Sequence, residues 1–309
     1  MDVLLAIPNK NQAQYAAQMA DAIGAQTVRP GHTLYMPDRP TGRELVEIRK
    51  TLAKYPDIEV YPVSSLPSYV GRPNMSAGAD WFLAGHVRNV AVSYMADKGF
   101  DAVVFIDGDC IPEPDLIKSH IEILDKEGPC VSVGQRKEAM FHWKDQRTRD
   151  FSLTHVFGDT PTEITRESWF VDSGVVWTCN FGLNRSAVDA LCDMNKTLYG
   201  RNEAFSSDFA GTWGGEDGFI GLECFYVGIP VVAMAAGGND GIRHQYHDRT
   251  DEKKYAHRTF QTYLEHKREE LIYLLDLYER NVRNIAYVDR ETMLEKEGMV
   301  QTEEINITI

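Results

Sequence analysis

The chain reads as an α/β protein built on a doubly wound, parallel sheet. Three observations predict this. Short apolar strands alternate with amphipathic helices through the first half. The run Val103-Val104-Phe105-Ile106 has the β-prone, wholly apolar character of a strand buried on both faces. Two carboxylates, Asp107 and Asp109, leave that run at its carboxyl end, where open α/β sheets place their ligands.

The elements follow in order. Val3–Ile7 is the first strand: it is too short, and lacks the basic flank, to be a signal peptide. Gln12–Ile23 has helical spacing, and Thr33–Tyr35 is a short strand. Glu44–Leu52 is helical, with Leu45, Ile48 and Leu52 on one stripe. Glu59–Tyr61 reads as a strand, Trp81–Ala96 as a helix and Ala102–Ile106 as the central strand. Asp115 and the apolar Leu116, Ile117, Ile121 and Leu124 then predict a helix packed back on that strand. Cys130–Val133 and Val175–Thr178 are strand candidates, separated by a polar excursion across Gln135–Ser168. Ser186–Met194 is helical, and the polar, glycine-containing Asn202–Thr212 suggests a mobile loop ahead of Trp213. Glu216–Val227 reads as a helix and Ile229–Ala233 as a strand. After His257 comes an amphipathic helix with Leu271, Leu274, Leu275 and Tyr278 on one face. It is expected to pack on its own core; capping the body or pairing with another subunit, as a homo-oligomer, is the alternative. The organisation is therefore a main domain over 1–257 and a C-terminal helical extension with an acidic tail over 258–309.

Composition bounds the function. With 309 residues, 43% hydrophobic and 25% charged, the chain is an ordinary soluble globular protein with ample core. No apolar run approaches the ~20 residues that span a bilayer. The five cysteines, Cys110, Cys130, Cys179, Cys192 and Cys224, are scattered, match no zinc spacing and read as reduced core thiols, which implies a cytoplasmic location. Without a signal peptide, the acceptor-like Asn195-Lys196-Thr197 and Asn306-Ile307-Thr308 read as coincidence. A net charge of −14 argues against general adhesion to a polyanion. One basic stretch, Arg136, Lys137, His142, Lys144, Arg147 and Arg149 with Phe141 and Trp143, could meet phosphates and stack on a base; interleaved acids make a solvated loop the commoner outcome.

Three clusters carry chemistry. Asp107-Gly108-Asp109 is a compact set of hard oxygen ligands suited to Mg²⁺ or Mn²⁺ holding a diphosphate, although such pairs are also ordinary turn formers. Trp213-Gly214-Gly215-Glu216-Asp217 places two acids at a helix N-terminus behind two glycines. Capping alone would account for the acids. Trp213 can stack on a sugar or base, and one carboxylate can act as general base. In Gly241–Arg249, either His244 or His247 could complete a metal site with Asp109, and Arg243 or Arg249 could neutralise phosphate. Spacing does not choose between the two histidines.

Taken in order, these segments resemble the GT-A glycosyltransferases, most closely the inverting family-two group and the galactosyltransferase-like group with a Trp-Gly-Gly-Glu-Asp motif. Ile7-Pro8-Asn9-Lys10-Asn11 is similar to the first strand and its nucleotide loop. Asp38, before Thr41-Gly42, resembles the acid that contacts the nucleotide base, and Gly85-His86-Val87-Arg88-Asn89 resembles the helix beneath the nucleotide. Phe105–Asp109 resembles the metal-binding Asp-x-Asp, and Ile242-Arg243-His244 the segment whose histidine ligates the metal. The resemblance covers roughly residues 1–250. One departure is Gly241, where the galactosyltransferase-like group has a methionine. Another is the N-terminus, which lacks the membrane anchor of the Golgi members.

The resemblance implies a GT-A fold, with a mixed, mostly parallel sheet flanked by helices. It implies transfer of a sugar from a nucleoside diphosphate donor, UDP by default, to a hydroxyl acceptor, with inversion and with Mn²⁺ or Mg²⁺ as cofactor. Asp107, Asp109 and His244 would hold the metal and Asp217 would act as base, with Glu216 on sugar or acceptor hydroxyls. Pro8, Asn11, Asp38, Arg88 and Asp107 would seat the donor and Trp213 the acceptor. A glycan, a protein, a small molecule or a modified nucleic-acid base would each serve as acceptor. The rival readings are a retaining transferase of the same fold, a nucleotidyltransferase and a non-catalytic binding module. The second lacks its glycine-rich loop after the first strand.

Overall fold

The computed structural model describes residues 1–65, 83–138, 160–164, 178–207, 216–235 and 238–245. Four early strands, β1 (Val3–Asn9), β2 (His32–Pro37), β3 (Ile58–Val60) and β4 (Ala102–Ile106), pair in parallel in the order β3-β2-β1-β4. Between them lie α1 (Ala16–Gly24), α2 (Gly42–Leu52) and α3 (Ala84–Lys98), as the alternation of apolar runs predicts. A 3₁₀ turn, Ala13–Tyr15, leads into α1. The Thr41 side chain caps α2 by accepting from the Glu44 N–H, which satisfies one of the orphan donors of the first turn.

All five residues of β4 are buried, and alternate side chains enter different packing layers. Val103 and Phe105 join a cluster with Val87, Ala91 and Met95 of α3. Val104 and Ile106 join one with Met19 and Ile23 of α1 and with Leu116 and Ile117 of α4 (Leu116–Leu124). The sheet is therefore the middle layer of a three-layer sandwich, and β4 can present polar groups only at its end.

Beyond β4 the topology departs from simple alternation. The next neighbour is β9 (Asn180–Asn184), which runs antiparallel to β4 and, on its other side, to β6 (Val131–Val133). The sheet closes with β10 (Val231–Ala233), parallel to β6, and the two-residue β8 (Thr162–Glu163), antiparallel to β10. The expected strand at Val175–Thr178 falls mostly outside the described residues, and the strand that is present begins at Asn180. Its sequence, Asn-Phe-Gly-Leu-Asn, has no β-branched residue, so propensity gives little signal; Phe181 and Leu183 supply its apolar face. On the other face Gly182 lets α4 approach. A Cβ there would lie 2.5 Å from Ser132 Oγ and 2.9 Å from both His120 Nδ1 and Leu124 Cδ1.

That approach creates a buried polar link. His120 is fully buried and bonded to Ser132 Oγ at 2.6 Å and to Asn180 Oδ1 at 2.9 Å. Burial pushes its imidazole down to about 4, so it remains neutral. Asn180 in turn donates to the Gln135 carbonyl, which also accepts from Ile242 N–H. A second, three-stranded sheet is thereby tied to the first. It consists of β5 (Cys110–Pro112), β11 (Ile242–His244) and β7 (Arg136–Glu138), with β11 in the centre. Two further helices, α5 (Arg185–Tyr199) and α6 (Glu216–Val227), pack on each other and help to cover the α3 side. Asn195 lies fully buried in α5, which bars it as a surface glycosylation acceptor.

Three expectations are revised or left aside. The excursion from Gln135 contributes β7 and β8, while the basic-aromatic residues 139–149 lie outside the described residues. The described part of the expected mobile loop is anchored: Ala204–Ser207 are buried, and Asn89 clamps Phe205 through both its amide and its carbonyl. The helix expected after His257 lies outside the described residues. No described helix is long and apolar enough to cross a membrane.

Gly182→Ala should lower stability by about 1–3 kcal/mol, as overpacking does. Urea unfolding measures it, with Gly24→Ala as the control, since nothing lies within 4 Å of a Cβ at that helix end.

Candidate active site

The turn that leaves β4 is pressed against the end of β1. Gly108 N–H donates to the Pro8 carbonyl at 2.9 Å, and a Cβ on Gly108 would stand 2.3 Å from Asn9 Nδ2. Only glycine fits between the two aspartates. Asn9 Nδ2 donates to the Tyr35 hydroxyl, so β1, β2 and the turn are fixed together. Cys110 N–H donates to the Asp107 carbonyl, which tightens the turn and starts β5.

β5 then brings His244 to Asp109. His244 pairs with Cys110 across the antiparallel β5–β11 ladder, and Gln245 N–H donates to the Asp109 carbonyl at 2.7 Å. His244 Nε2 lies 3.3 Å from Asp109 Oδ2. Gln12 Nε2 donates to the same oxygen at 2.7 Å, and Cys110 Sγ donates to Oδ1 at 3.3 Å. Ligand atoms of Asp109, Cys110 and His244 all lie within 4.8 Å of one another, and all three residues are buried. A carboxylate, an imidazole and a thiol in one small volume fit a divalent cation. His247 lies outside the described residues.

Asp107 faces elsewhere. Its Oδ1 accepts from Arg88 Nη2 at 2.7 Å, while Arg88 Nη1 donates to Glu216 Oε1 at 3.0 Å and lies 4.0 Å from Asp217 Oδ1. Arg88, one turn into α3, is almost completely buried and joins the end of β4 to the start of α6. The expected metal set is thus divided in the structure: Asp109 and His244 meet, and Asp107 sits on Arg88. The guanidinium expected to seat the donor is held by carboxylates on both sides.

Burial works against the Arg88 charge, but Asp107, Asp217 and Glu216 outweigh it and hold the guanidinium protonated. Burial also pushes the acids up. Asp107 is raised to about 6, with Arg88 opposing and the charges of Asp109 and Asp217 adding to the shift. Asp217 is raised to about 7, by burial first and then by Glu216, while Arg88 and a hydrogen bond from Thr178 pull it down. Thr178 Oγ1 donates to Asp217 Oδ1, and about a third of the Asp217 side chain remains open.

The other expected residues fall as follows. Asp38 is buried at the end of β2; it accepts from Arg39 at 2.7 and 2.9 Å and from Leu83 N–H at 3.2 Å, with Lys10 Nζ 3.7 Å away. Asn11 is exposed with φ 57°, in the left-handed region that asparagine tolerates. Pro8 is buried in β1. Trp213 lies outside the described residues. Gln12, Thr178 and Cys110 also reach the site. The first two are isolated polar residues with no spacing signal; Cys110 has the pattern of a core thiol, and its place directly after Asp109 is the one hint of more.

The model of Glycosyl transferase family 2 matches residues 85–192, from the start of α3 through the Asp107–Asp109 turn and β9 into α5. No curated protein matches the chain. Among solved structures, S. aureus TarS is similar with TM-score 0.57 and 13% identity, covering 98% of this chain and 46% of that one. This chain therefore spans less than half the length of that TarS chain. TarS 1–349 in complex with UDP-GlcNAc gives TM-score 0.59 and 12% identity over 96% of this chain and 78% of that one. The mannosyltransferase PcManGT from Pyrobaculum calidifontis, in complex with GDP-Man and Mn²⁺, gives TM-score 0.56 and 11% identity over 97% of this chain and 76% of that one. At these identities the likeness establishes the fold.

A pH experiment tests the electrostatics. Asp217 binds its proton more tightly in the fold, at about 7, than at its ordinary value of 3.8. Between those values the native state holds more protons than the unfolded chain, so this carboxylate destabilises the fold increasingly as pH rises. Asp217→Asn removes that penalty. Its stability relative to the parent should climb between about pH 4 and pH 7 and then level off in urea unfolding; a flat difference would contradict the assignment.

Proposed function

We propose that this chain, a glycosyltransferase of the GT-A fold, moves a sugar from a nucleoside diphosphate to a hydroxyl acceptor, with Asp217 as general base. One observation carries the reading. Two acidic groups distant in sequence, at the carboxyl end of β4 and the N-terminus of α6, converge on buried Arg88, beside an Asp109–His244 pair suited to a cation. UDP-GlcNAc in TarS 1–349 and GDP-Man with Mn²⁺ in PcManGT, both of similar fold, support a nucleotide-sugar donor.

Each residue then has a task. Asp109 and His244 would hold a divalent cation, which when bound offsets negative charge gathering on the diphosphate as the glycosidic bond breaks. Gln12 fixes the Asp109 carboxylate from the other side. Arg88 anchors Asp107 and Glu216, so the donor side and the acceptor side keep a constant spacing. The Thr178 hydroxyl on Asp217 Oδ1 orients the carboxyl that would accept the acceptor's proton. A carboxyl raised to about 7 is matched to proton abstraction near neutral pH. Attack from the face opposite the leaving diphosphate gives inversion at the anomeric carbon. UDP is the default nucleotide, which Asn11 and Asp38, just beyond the ends of β1 and β2, would contact.

The test is donor binding and slow donor hydrolysis across a panel of nucleotide sugars, with Mn²⁺ and with EDTA. Metal-dependent binding of one donor is expected; silence from folded protein would overturn the reading. Asp217→Asn should leave donor binding intact and reduce transfer by about 10²–10⁴-fold, the usual value of general-base help. In Asp109→Ala the response to Mn²⁺ should disappear together with most of the activity.

A further inference from the structure

We infer that Cys110 supplies a third, sulfur ligand to the cation held by Asp109 and His244, so that this centre takes a borderline ion such as Zn²⁺ or Co²⁺ in preference to Mg²⁺. The inference rests on the proposed metal reading of Asp109 and His244 and extends it to a residue which that reading does not use.

The geometry comes from strand register. His244 and Cys110 are directly opposed in the antiparallel β5–β11 ladder, so their side chains leave the ribbon on one face. Asp109, next to Cys110 in sequence, is drawn into the same volume by the Gln245 N–H on its carbonyl. His244 Nε2 lies 3.3 Å from Asp109 Oδ2, Cys110 Sγ lies 3.3 Å from the other carboxylate oxygen, Oδ1, and one ligand atom from each of the three residues lies within 4.8 Å of the other two. Metal–ligand bonds of 2.0–2.3 Å in a tetrahedron leave donor atoms roughly 3.3–3.6 Å apart, so the three ligand atoms would draw together by no more than about 1.5 Å. Three protein ligands and one open position also form the usual arrangement of a working zinc site, with the fourth position left for an oxygen of the substrate.

The proton inventory is simple. Cys110 directs its S–H at Asp109 Oδ1 and also lies in hydrogen-bonding contact with Cys179. When a divalent cation binds, the S–H bond breaks, its proton leaves to solvent, the sulfur–metal bond forms, and no electrons are exchanged. The cation occupies the place of the thiol proton, between the same sulfur and carboxylate. Thiolate is a soft donor that Mg²⁺ binds poorly, which gives the site its preference.

Co²⁺ titration of the metal-stripped protein, followed by ultraviolet and visible absorption, reads the ligand directly. The expected result is one equivalent of Co²⁺ with a sulfur-to-cobalt charge-transfer band in the near ultraviolet. That band should survive an excess of Mg²⁺, vanish in Cys110→Ser and persist in Cys179→Ser. Visible cobalt bands that need Asp109 and His244, without a charge-transfer band in the parent protein, would overturn the sulfur ligand and leave the proposed metal site standing. A charge-transfer band unchanged by Cys110→Ser would do the same. Absence of Co²⁺ uptake by folded protein would overturn both.

Discussion

The site depends on one buried cation. Arg88 lies almost wholly out of water and binds carboxylates at the ends of two elements that meet only through tertiary structure. At about 4 Å and an effective dielectric near 20, a single opposite charge is worth roughly 4 kcal/mol. Without the guanidinium, Asp107, Glu216 and Asp217 would repel one another in a desolvated space, and the first turn of α6 would have no fixed partner on β4. The Phe205 ring beneath the guanidinium and the clamp of Asn89 on that segment hold the floor of this arrangement. The α3 residues Arg88 and Asn89 therefore do adjacent jobs: one organises the charges and the other the backbone that supports them.

Much of this was legible from the residue pattern because it follows from local physics. Val103–Ile106 could hardly be anything but a central strand, and the sharp change to Asp107-Gly108-Asp109 marks its end. The Leu45–Ile48–Leu52 stripe likewise marks α2. What stayed hidden was long-range. β9 carries asparagines and a glycine where a strand is expected to carry valines, because its neighbours β4 and β6 supply the apolar surface and α4 needs the empty Cα. Thr178 and Gln12 have meaning only through Asp217 and Asp109, which lie far along the chain. The separation of Asp107 from Asp109 also escaped the pattern: the two acids flank one glycine, yet one turns to α3 and the other to β11.

The likeness to solved structures at 11–13% identity shows how little of the sequence the fold requires. A buried parallel core with polar groups at its carboxyl end persists through wholesale side-chain replacement, since volume and pattern are enough to maintain it. In this chain the candidate site residues are drawn together by β5–β11 register on one side and by Arg88 on the other.

The placement of β9 bears on how the chain is made. β4 ends at Ile106, but the strand that covers its open edge begins only at Asn180. A polypeptide leaving the ribosome can assemble β1 to β4 in sequence, each new strand pairing with one already made. It must then wait, with the edge of its most apolar strand bare, until the later segment emerges. Such an edge is a template for pairing with any extended chain nearby. During that interval the nascent protein is most exposed to mispairing and most in need of a chaperone, and slower translation across the intervening stretch would lengthen the hazard.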